Sequence, residues 1–300
     1  MSCKKKILVY CDTHWAIGRI YRDVEIYLKN DFEFTYYDWA NHNVEHIKSL
    51  IPNFDIFITN LVNIRFFIHD IHEIDLKKMI FSCHGYTELD HYKNFEFPEQ
   101  YSYSIVSNSI LELLPDNIKN NAFHTYNGVE LSNFNYIKRS GILEKIGWCG
   151  ASHVLWKRSS WAVEISTKTK LPLTFATNLP YDKLKEWYNK IDILLINPGP
   201  ECWKETGPLP AFEAIASGVL VIGTKVGNFA EIPGPKYETI EEAVIIIEDL
   251  KKNPEKVKQI SEQQYECVKQ KWCYEVLSKQ WKHMYDSVLQ KINANFVIEI

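Results

Sequence analysis

The sequence predicts an α/β protein built from two parallel-sheet halves. Three observations carry this. Short apolar runs alternate with helix-period segments along the whole chain, the pattern of strand–helix–strand units. Strands alternate with helices rather than following one another as hairpins, so consecutive strands pair through crossovers. The length of 300 residues holds two domains of ordinary size.

In chain order, residues 4–11 (KKKILVYC) read as a buried strand behind a solvated basic cap. Residues 13–28 hold a loop with Gly18, then a helix with Ile20, Val24 and Leu28 at helical spacing. No GxGxxG follows the strand, so a dinucleotide fingerprint is not supported. Strands are expected at 32–39, 55–59, 77–82 and 102–107, with a helix at 41–50 ended by Pro52 and a short apolar piece at 122–126. The polar segment 131–141 marks a boundary. A second series follows: strands at 145–149, 171–176, 192–197 and 219–223, and helices at 158–167, 181–189, 209–217, 239–252, 255–271 and 272–292. Gly218 stands where a helix gives way to a strand, and Pro254 suits a helix start.

Composition narrows the function classes. With 46% hydrophobic and 24% charged residues the chain is globular rather than disordered. A net charge of −4 argues against a broad nucleic-acid face. The apolar run at 7–11 is too short for a signal peptide or membrane span. The seven cysteines include no CxxC pair, and their odd number speaks against a disulfide framework. The expectation is therefore reduced thiols in a cytoplasmic protein, with peripheral membrane contact left open. Cys11, Cys83 and Cys149 close apolar runs as small hydrophobes.

The organising stretch is 192–233 (DILLINPGPECWKETGPLPAFEAIASGVLVIGTKVGNFAEIP). A buried strand leads into a Gly/Pro-rich loop, a helix and a second strand, with Glu205 at the helix entrance and Glu213 two turns inside. Ligands of parallel α/β sheets bind outside the carboxyl ends of the strands, beside helix N-termini. Two carboxylates there suit a polyhydroxylated ligand; taken alone, they also fit a solvated helix surface.

Three segments together resemble a family. The first is Glu205–Glu213 (ETGPLPAFE), continuing through AIASG and its strand to VGNFAE. The second is Asn127–Gly128–Val129–Glu130 with Phe134. The third is Ile146–Gly150 followed by Lys157. Their order and spacing resemble the GT-B glycosyltransferases, and most of all glycosyltransferase family 4. The resemblance spans most of the chain. It implies two Rossmann-like domains facing across a cleft, with a C-terminal helix crossing back: an acceptor-side domain at 1–138, a nucleotide-sugar domain at 139–280 and the returning helix at 281–300.

The roles that follow are what the resemblance implies. Glu213 accepts hydrogen bonds from the donor ribose, and Glu205 holds hydroxyls of the transferred sugar. Leu209 and neighbouring amides, with Gly207 and Gly150, receive the diphosphate, and Lys157 balances its charge with Arg158 as a second cation. His84, after a buried strand and before Gly85, bonds a sugar hydroxyl or carries part of the developing charge. Gly18 lets the first loop approach the donor; Trp15, Arg19 and Tyr86 are acceptor-side candidates. Trp203 and Tyr86 could stack on a sugar or simply pack.

One departure stands out. Ala151, Ser152 and His153 follow Gly150 where the family commonly carries arginine, so either Arg158, His153 or Arg19 compensates or activity is lost. Pro208 and Pro210 also remove amides from the helix start.

The expected reaction is retaining transfer from a nucleotide diphosphate sugar to a glycan, lipid-linked or small-molecule acceptor hydroxyl. No cofactor and no metal are expected, as there is no DxD. His69, His72 and Glu73 fit no zinc spacing well and read as surface. A non-catalytic sugar-nucleotide or glycan-binding module and a sugar-nucleotide epimerase stay open on the same fold. Donor base, sugar, acceptor and oligomeric state are not legible.

Overall fold

The structure, a computed structural model, describes residues 4–71, 75–91, 96–199 and 205–294. Its contacts divide the chain into two compact units, Met1–Tyr126 with Tyr274–Ile300, and Asn127–Cys273. Residues 127–138 thus belong to the second unit and 274–280 to the first.

The first unit carries six strands: β1 (Lys5–Cys11), β2 (Phe32–Asp38), β3 (Ile56–Asn60), β4 (Met79–Cys83), β5 (Ser102–Ile105) and β6 (Ala122–His124). Their order is β2-β1-β3-β4-β5-β6, every pair parallel. The helices α1 (Ala16–Leu28), α2 (Val44–Leu50), α3 (Ile64–His69), α4 (Tyr86–His91), α5 (Asn108–Leu113) and α6 (Asp116–Lys119) connect them. Strands β3, β4 and β5 are buried along their full length, which is why they read as continuous runs rather than as alternation. The chain reverses its direction of winding between β1 and β3, so the ligand-accepting edge of such a sheet lies beyond the carboxyl ends of those strands.

The second unit repeats the plan with four strands, β7 (Ile146–Cys149), β8 (Leu173–Ala176), β9 (Ile193–Ile196) and β10 (Leu220–Gly223), in the order β10-β9-β7-β8, all parallel. Here the switch point lies between β7 and β9. The helices are α7 (Ser159–Thr169), α8 (Tyr181–Tyr188), α9 (Leu209–Ala216), α10 (Ile240–Lys252) and α11 (Pro254–Lys271). Gly218 takes φ +79°, and a Cβ there would lie 2.1 Å from the Ile137 carbonyl oxygen, so only glycine fits the step from α9 to β10. The half-buried Arg139 closes two helix ends at once, its guanidinium donating to Tyr188 O (3.0 Å), Asn189 O (3.1 Å) and Ser217 O (3.5 Å).

Strand β10 lies at the sheet's edge. The fully buried Gln264 of α11 fills part of the missing neighbour's place: its amide accepts from Val221 N (3.0 Å) and donates to Val221 O (2.6 Å) and Pro233 O (3.0 Å).

The sequence predicts one helix over 272–292. The structure instead starts α12 (Tyr274–Ala294) two residues later. Trp272 stacks on Phe212 (5.5 Å between centroids) and its carbonyl accepts from Val129 N (3.0 Å), which ends α11. Helix α12 then belongs to the first unit. Its Trp281, Met284, Tyr285 and Val288 are fully buried, Trp281 standing edge-on to Tyr21 (5.4 Å) and Tyr285 to Phe32 (5.3 Å). Among the described residues no helix is long and apolar enough to cross a membrane.

Candidate active site

The carboxyl ends of β7 and β9 open into a cavity of about 300 Å³, counting its open mouth, lined by Trp148, Cys149, Lys157, Leu195, Ile196, Asn197, Pro198, Glu205, Pro208 and Pro210. It sits at the topological switch point, where helix starts and loop amides converge. Two charged groups face each other in it: Lys157 Nζ lies 3.6 Å from Glu205 Oε2, with side-chain exposures of 28% and 13%. The pair lies in a partly desolvated place, where a charge is costly without a partner. Pairing also leaves each ready to exchange its partner for a polar ligand.

Lys157 is aimed by its surroundings. It ends a short 3-10 turn, Leu155–Lys157, closed by Arg158 in the left-handed region at φ 46°. A non-glycine residue there costs about 1–2 kcal/mol. Asn197, buried at the end of β9, holds the strained turn by donating to Arg158 O (3.4 Å), while its Oδ1 accepts from the Tyr237 hydroxyl. Gly150 adopts φ +151°, and a Cβ on it would come within 3.2 Å of the Trp148 ring and 3.4 Å of the Lys157 stem. Its lack of a side chain is what lets the lysine lie along the end of β7. Sequence reasoning missed Asn197 and Tyr237; a polar residue closing an apolar run just before Pro198 was the available signal for the first.

The Arg158 guanidinium stacks over the Trp161 ring at 4.3 Å, and Arg158 is not among the cavity's lining residues. His153 is exposed on the intervening loop. Lys157 is therefore the one cation among the described lining residues.

Helix α9 begins at Leu209 without a side-chain cap. Pro210 has no amide, and the Ala211 amide is taken by Pro208 O (2.9 Å). This leaves the Leu209 N–H as the remaining backbone donor of the first three positions. The approach to the helix is clamped. Asn228 N donates to Thr206 O (2.9 Å), and a Cβ on Gly207 would sit 3.2 Å from Asn127 Nδ2. Glu213 lies one layer deeper. It is 3% exposed, its Oε2 accepts from the buried Tyr188 hydroxyl (2.8 Å), and it does not line the cavity with Glu205. Phe134 packs edge-on against Tyr188 (6.2 Å), so the Asn127–Phe134 segment and the carboxylate helix are parts of one packed layer.

In the first unit, His84 follows β4. Its Nε2 lies 2.9 Å from Ser82 Oγ and its amide donates to Glu88 Oε2 (3.1 Å). Burial lowers the His84 pKa to about 4 and raises that of Glu88 to about 8. At neutral pH the pair is an uncharged imidazole beside a largely protonated acid. Glu88 was not singled out from the sequence; its place four residues after His84, in the first turn of α4, was the signal. Tyr86 starts α4 half-buried.

These shifts predict the pH dependence of stability. A histidine whose folded pKa falls below 6.5 loses stability as pH drops from about 6.5 to 4. A carboxyl raised to about 8 loses stability as pH climbs from about 4.5 to 8, because the unfolded chain releases that proton first. Glu88→Gln should therefore flatten the decline in melting temperature between pH 6.5 and 8 and raise stability at pH 8 by up to a few kcal/mol. Melting curves at both pH values check this; parallel pH profiles for the two proteins would contradict it.

The loop after β1 departs from expectation. Asp12 Oδ1 accepts from the His14 and Trp15 amides (3.0 and 3.1 Å), so the helix starts at Ala16 and Gly18 lies inside it, buried. A Cβ on Gly18 would meet Asp12 O at 2.5 Å and Thr13 Cα at 2.7 Å. The glycine allows close packing of α1 on the preceding chain. Trp15 is 63% exposed; Arg19, in α1, is half-buried. Asp38 accepts from the Thr13 amide (3.1 Å) and hydroxyl, and these bonds hold its carboxyl below the usual range.

Trp203, His72, Glu73, Cys3 and Cys202 lie outside the described residues, as does most of the 198–204 loop. Among the described residues no group of three or more His, Cys, Asp or Glu could hold a metal.

Two parallel-sheet α/β units, each with its ligand edge at a strand switch point, make this a protein of the GT-B fold. Solved structures bear out that class. The chain superposes on Anabaena HepE, in complex with UDP-glucose, at TM-score 0.72 and 11% identity, covering 94% of this chain and 99% of that one. AviGT4, a glycosyltransferase involved in avilamycin A biosynthesis, gives 0.62 and 12% over 96% and 98%. The β-glucosyltransferase of T4 phage gives 0.57 and 11% over 95% and 99%. At such identities the likeness establishes the fold. No protein-family model matches the chain, and no curated protein matches it in sequence.

Proposed function

We propose that the protein is a glycosyltransferase that moves a sugar from a nucleoside diphosphate donor to an acceptor hydroxyl, with retention of configuration and without a metal. The observation that carries this reading is the Lys157–Glu205 pair at the switch point of the second sheet. Breaking the bond between sugar and diphosphate leaves negative charge on the departing phosphate. A lysine fixed on a strained turn meets that charge without reorganising, and a preorganised cation contributes to the transition state. Glu205, released from Lys157 by the incoming phosphate, turns its oxygens to the sugar's hydroxyls. The Leu209 amide adds one donor for the diphosphate. Glu213, held by Tyr188, is assigned the ribose hydroxyls, and His84 of the first unit a hydroxyl of the reacting sugars. Trp15, Arg19 and Tyr86 are assigned to the acceptor. Retention and independence of metal follow from the family 4 resemblance of the motifs.

The fold likeness to HepE makes uridine donors the first to try. The test is incubation with UDP-, GDP-, ADP-, TDP- and CMP-sugars. Stabilisation reports binding, about 2.7 kcal/mol at a hundred times the dissociation constant, and released nucleotide reports turnover. The expected result is one donor that both stabilises the protein and is consumed, unaffected by EDTA, with the product anomer matching the donor. Binding with no product from any donor would overturn the reading in favour of a binding module. The one cation among the described lining residues and the two prolines are the features that favour that alternative. A new nucleotide sugar formed without acceptor would instead identify an epimerase.

A further inference from the structure

Behind His84 runs a row of fully buried hydroxyls that the proposed reaction does not use. Ser82 Oγ lies 2.9 Å from His84 Nε2 and 3.1 Å from Ser104 Oγ. Ser104 Oγ in turn bonds Thr125 Oγ1, whose hydrogen reaches the Ile105 carbonyl (3.5 Å). Ser82, Ser104 and Thr125 are all 0% exposed. The row crosses from β4 to β5 and on to the residue following β6.

The row has a direction. A carbonyl oxygen only accepts, so Thr125 is the donor at that end. Each hydroxyl carries a single hydrogen. With Thr125's committed to Ile105, Ser104 donates to Thr125 and Ser82 donates to Ser104. Ser82 then has only lone pairs to offer His84. The Tyr21 ring stands edge-on to His84 at 6.4 Å. We infer that the Ser82–Ser104–Thr125 row fixes His84 in the tautomer with the proton on Nε2 and none on Nδ1. Ser82, Ser104 and Thr125 are thus positioning residues for His84.

The burial that lowers the His84 pKa to about 4 agrees with this, since a neutral ring has a tautomer to choose. The functional consequence rests on the proposed transfer. A neutral His84, its Nε2 proton tied to Ser82 and its Nδ1 buried, takes part in the transfer as a fixed, uncharged ring. It does not donate to the departing phosphate and does not carry a full positive charge.

The inference is testable without substrate. In protein labelled with ¹⁵N-histidine, long-range proton–nitrogen correlations separate protonated from bare ring nitrogens, and His84 is assigned by its loss in His84→Gln. The expected wild-type pattern is a single tautomer protonated at Nε2. Ser82→Ala should lose that single pattern and give a mixture. Thr125→Val, which keeps the side-chain shape, should do the same more weakly and serves if Ser82→Ala does not fold. A proton on Nδ1 in the wild type, or an unchanged Nε2–H pattern in both variants, would overturn the inference. Once a donor is known, Ser82→Ala should lower kcat about ten-fold with little change in KM. A lost tautomer pattern with unaltered kcat would remove the role in turnover and leave the tautomer assignment standing. Failure to find any donor would not touch the spectra.

Discussion

Glu205→Gln and Lys157→Ala are each expected to abolish detectable transfer while leaving stability within about 1 kcal/mol of wild type. The stability half follows from their place. The pair is partly exposed at 3.6 Å, and such a pair contributes little to folding. The activity half follows from what each would face. Removing one preorganised charge or donor from a developing anion typically costs about 10²–10³ in rate. Lys157 is the one cation among the described lining residues, so no neighbour shares that load. Glu205→Gln should weaken sugar selection as well as rate, because a neutral amide accepts hydroxyl bonds more weakly than a carboxylate. The double variant should lose less than the product of the single losses, since the two groups touch and act together. Steady-state kinetics on the donor identified by screening, with melting curves for all three proteins, provides the measurement. Near-normal turnover in both single variants would sink the site assignment.

Gln264→Leu is expected to lower stability by about 3–5 kcal/mol, well beyond the loss from an ordinary point substitution. The side chain is fully buried and serves three backbone groups, the Val221 N–H and C=O and the Pro233 C=O. Leucine fills a similar volume, so packing alone changes little. What remains is the desolvation penalty of buried groups left without partners, about 1–3 kcal/mol each. Val221 also lies at the centre of an edge strand, so its bare N–H and C=O would offer a ladder for another chain to join. Chemical denaturation should show a lower midpoint, and light scattering on warming should show earlier aggregation. A stability within about 1 kcal/mol of wild type would refute the account.

Much of the fold was legible because buried parallel strands announce themselves. Residues 7–11, 56–58, 193–196 and 219–223 are apolar on both faces. A helix stop at Gly218 follows from a left-handed position that other residues fill only with strain. The short helices α3 to α6 were less visible because four to six residues cannot show a 3.6-residue period. The start of α1 was misplaced because Asp12's bonds to two following amides shorten the loop, and that depends on one side-chain rotamer. Within the site, the Lys157–Glu205 meeting could be anticipated from motif order. The depth of Glu213 could not, since a glutamate reads as exposed until Tyr188 is seen to cover it. Nor could the hydroxyl row: Ser82 and Ser104 look like ordinary strand residues until parallel registration sets them side by side, with Thr125 following β6.

The return of α12 to the first unit has a consequence for how the protein is made. Tyr21 and Phe32 emerge from the ribosome early, yet the partners that cover them, Trp281 and Tyr285, follow only after all of Asn127–Cys273 has been synthesised. At about 5–20 residues per second that interval lasts on the order of ten seconds. During it the second unit has all of its own chain and can close, while the first waits with an aromatic face open to chaperones. The nascent protein therefore matures inside out along its sequence, the middle before the ends.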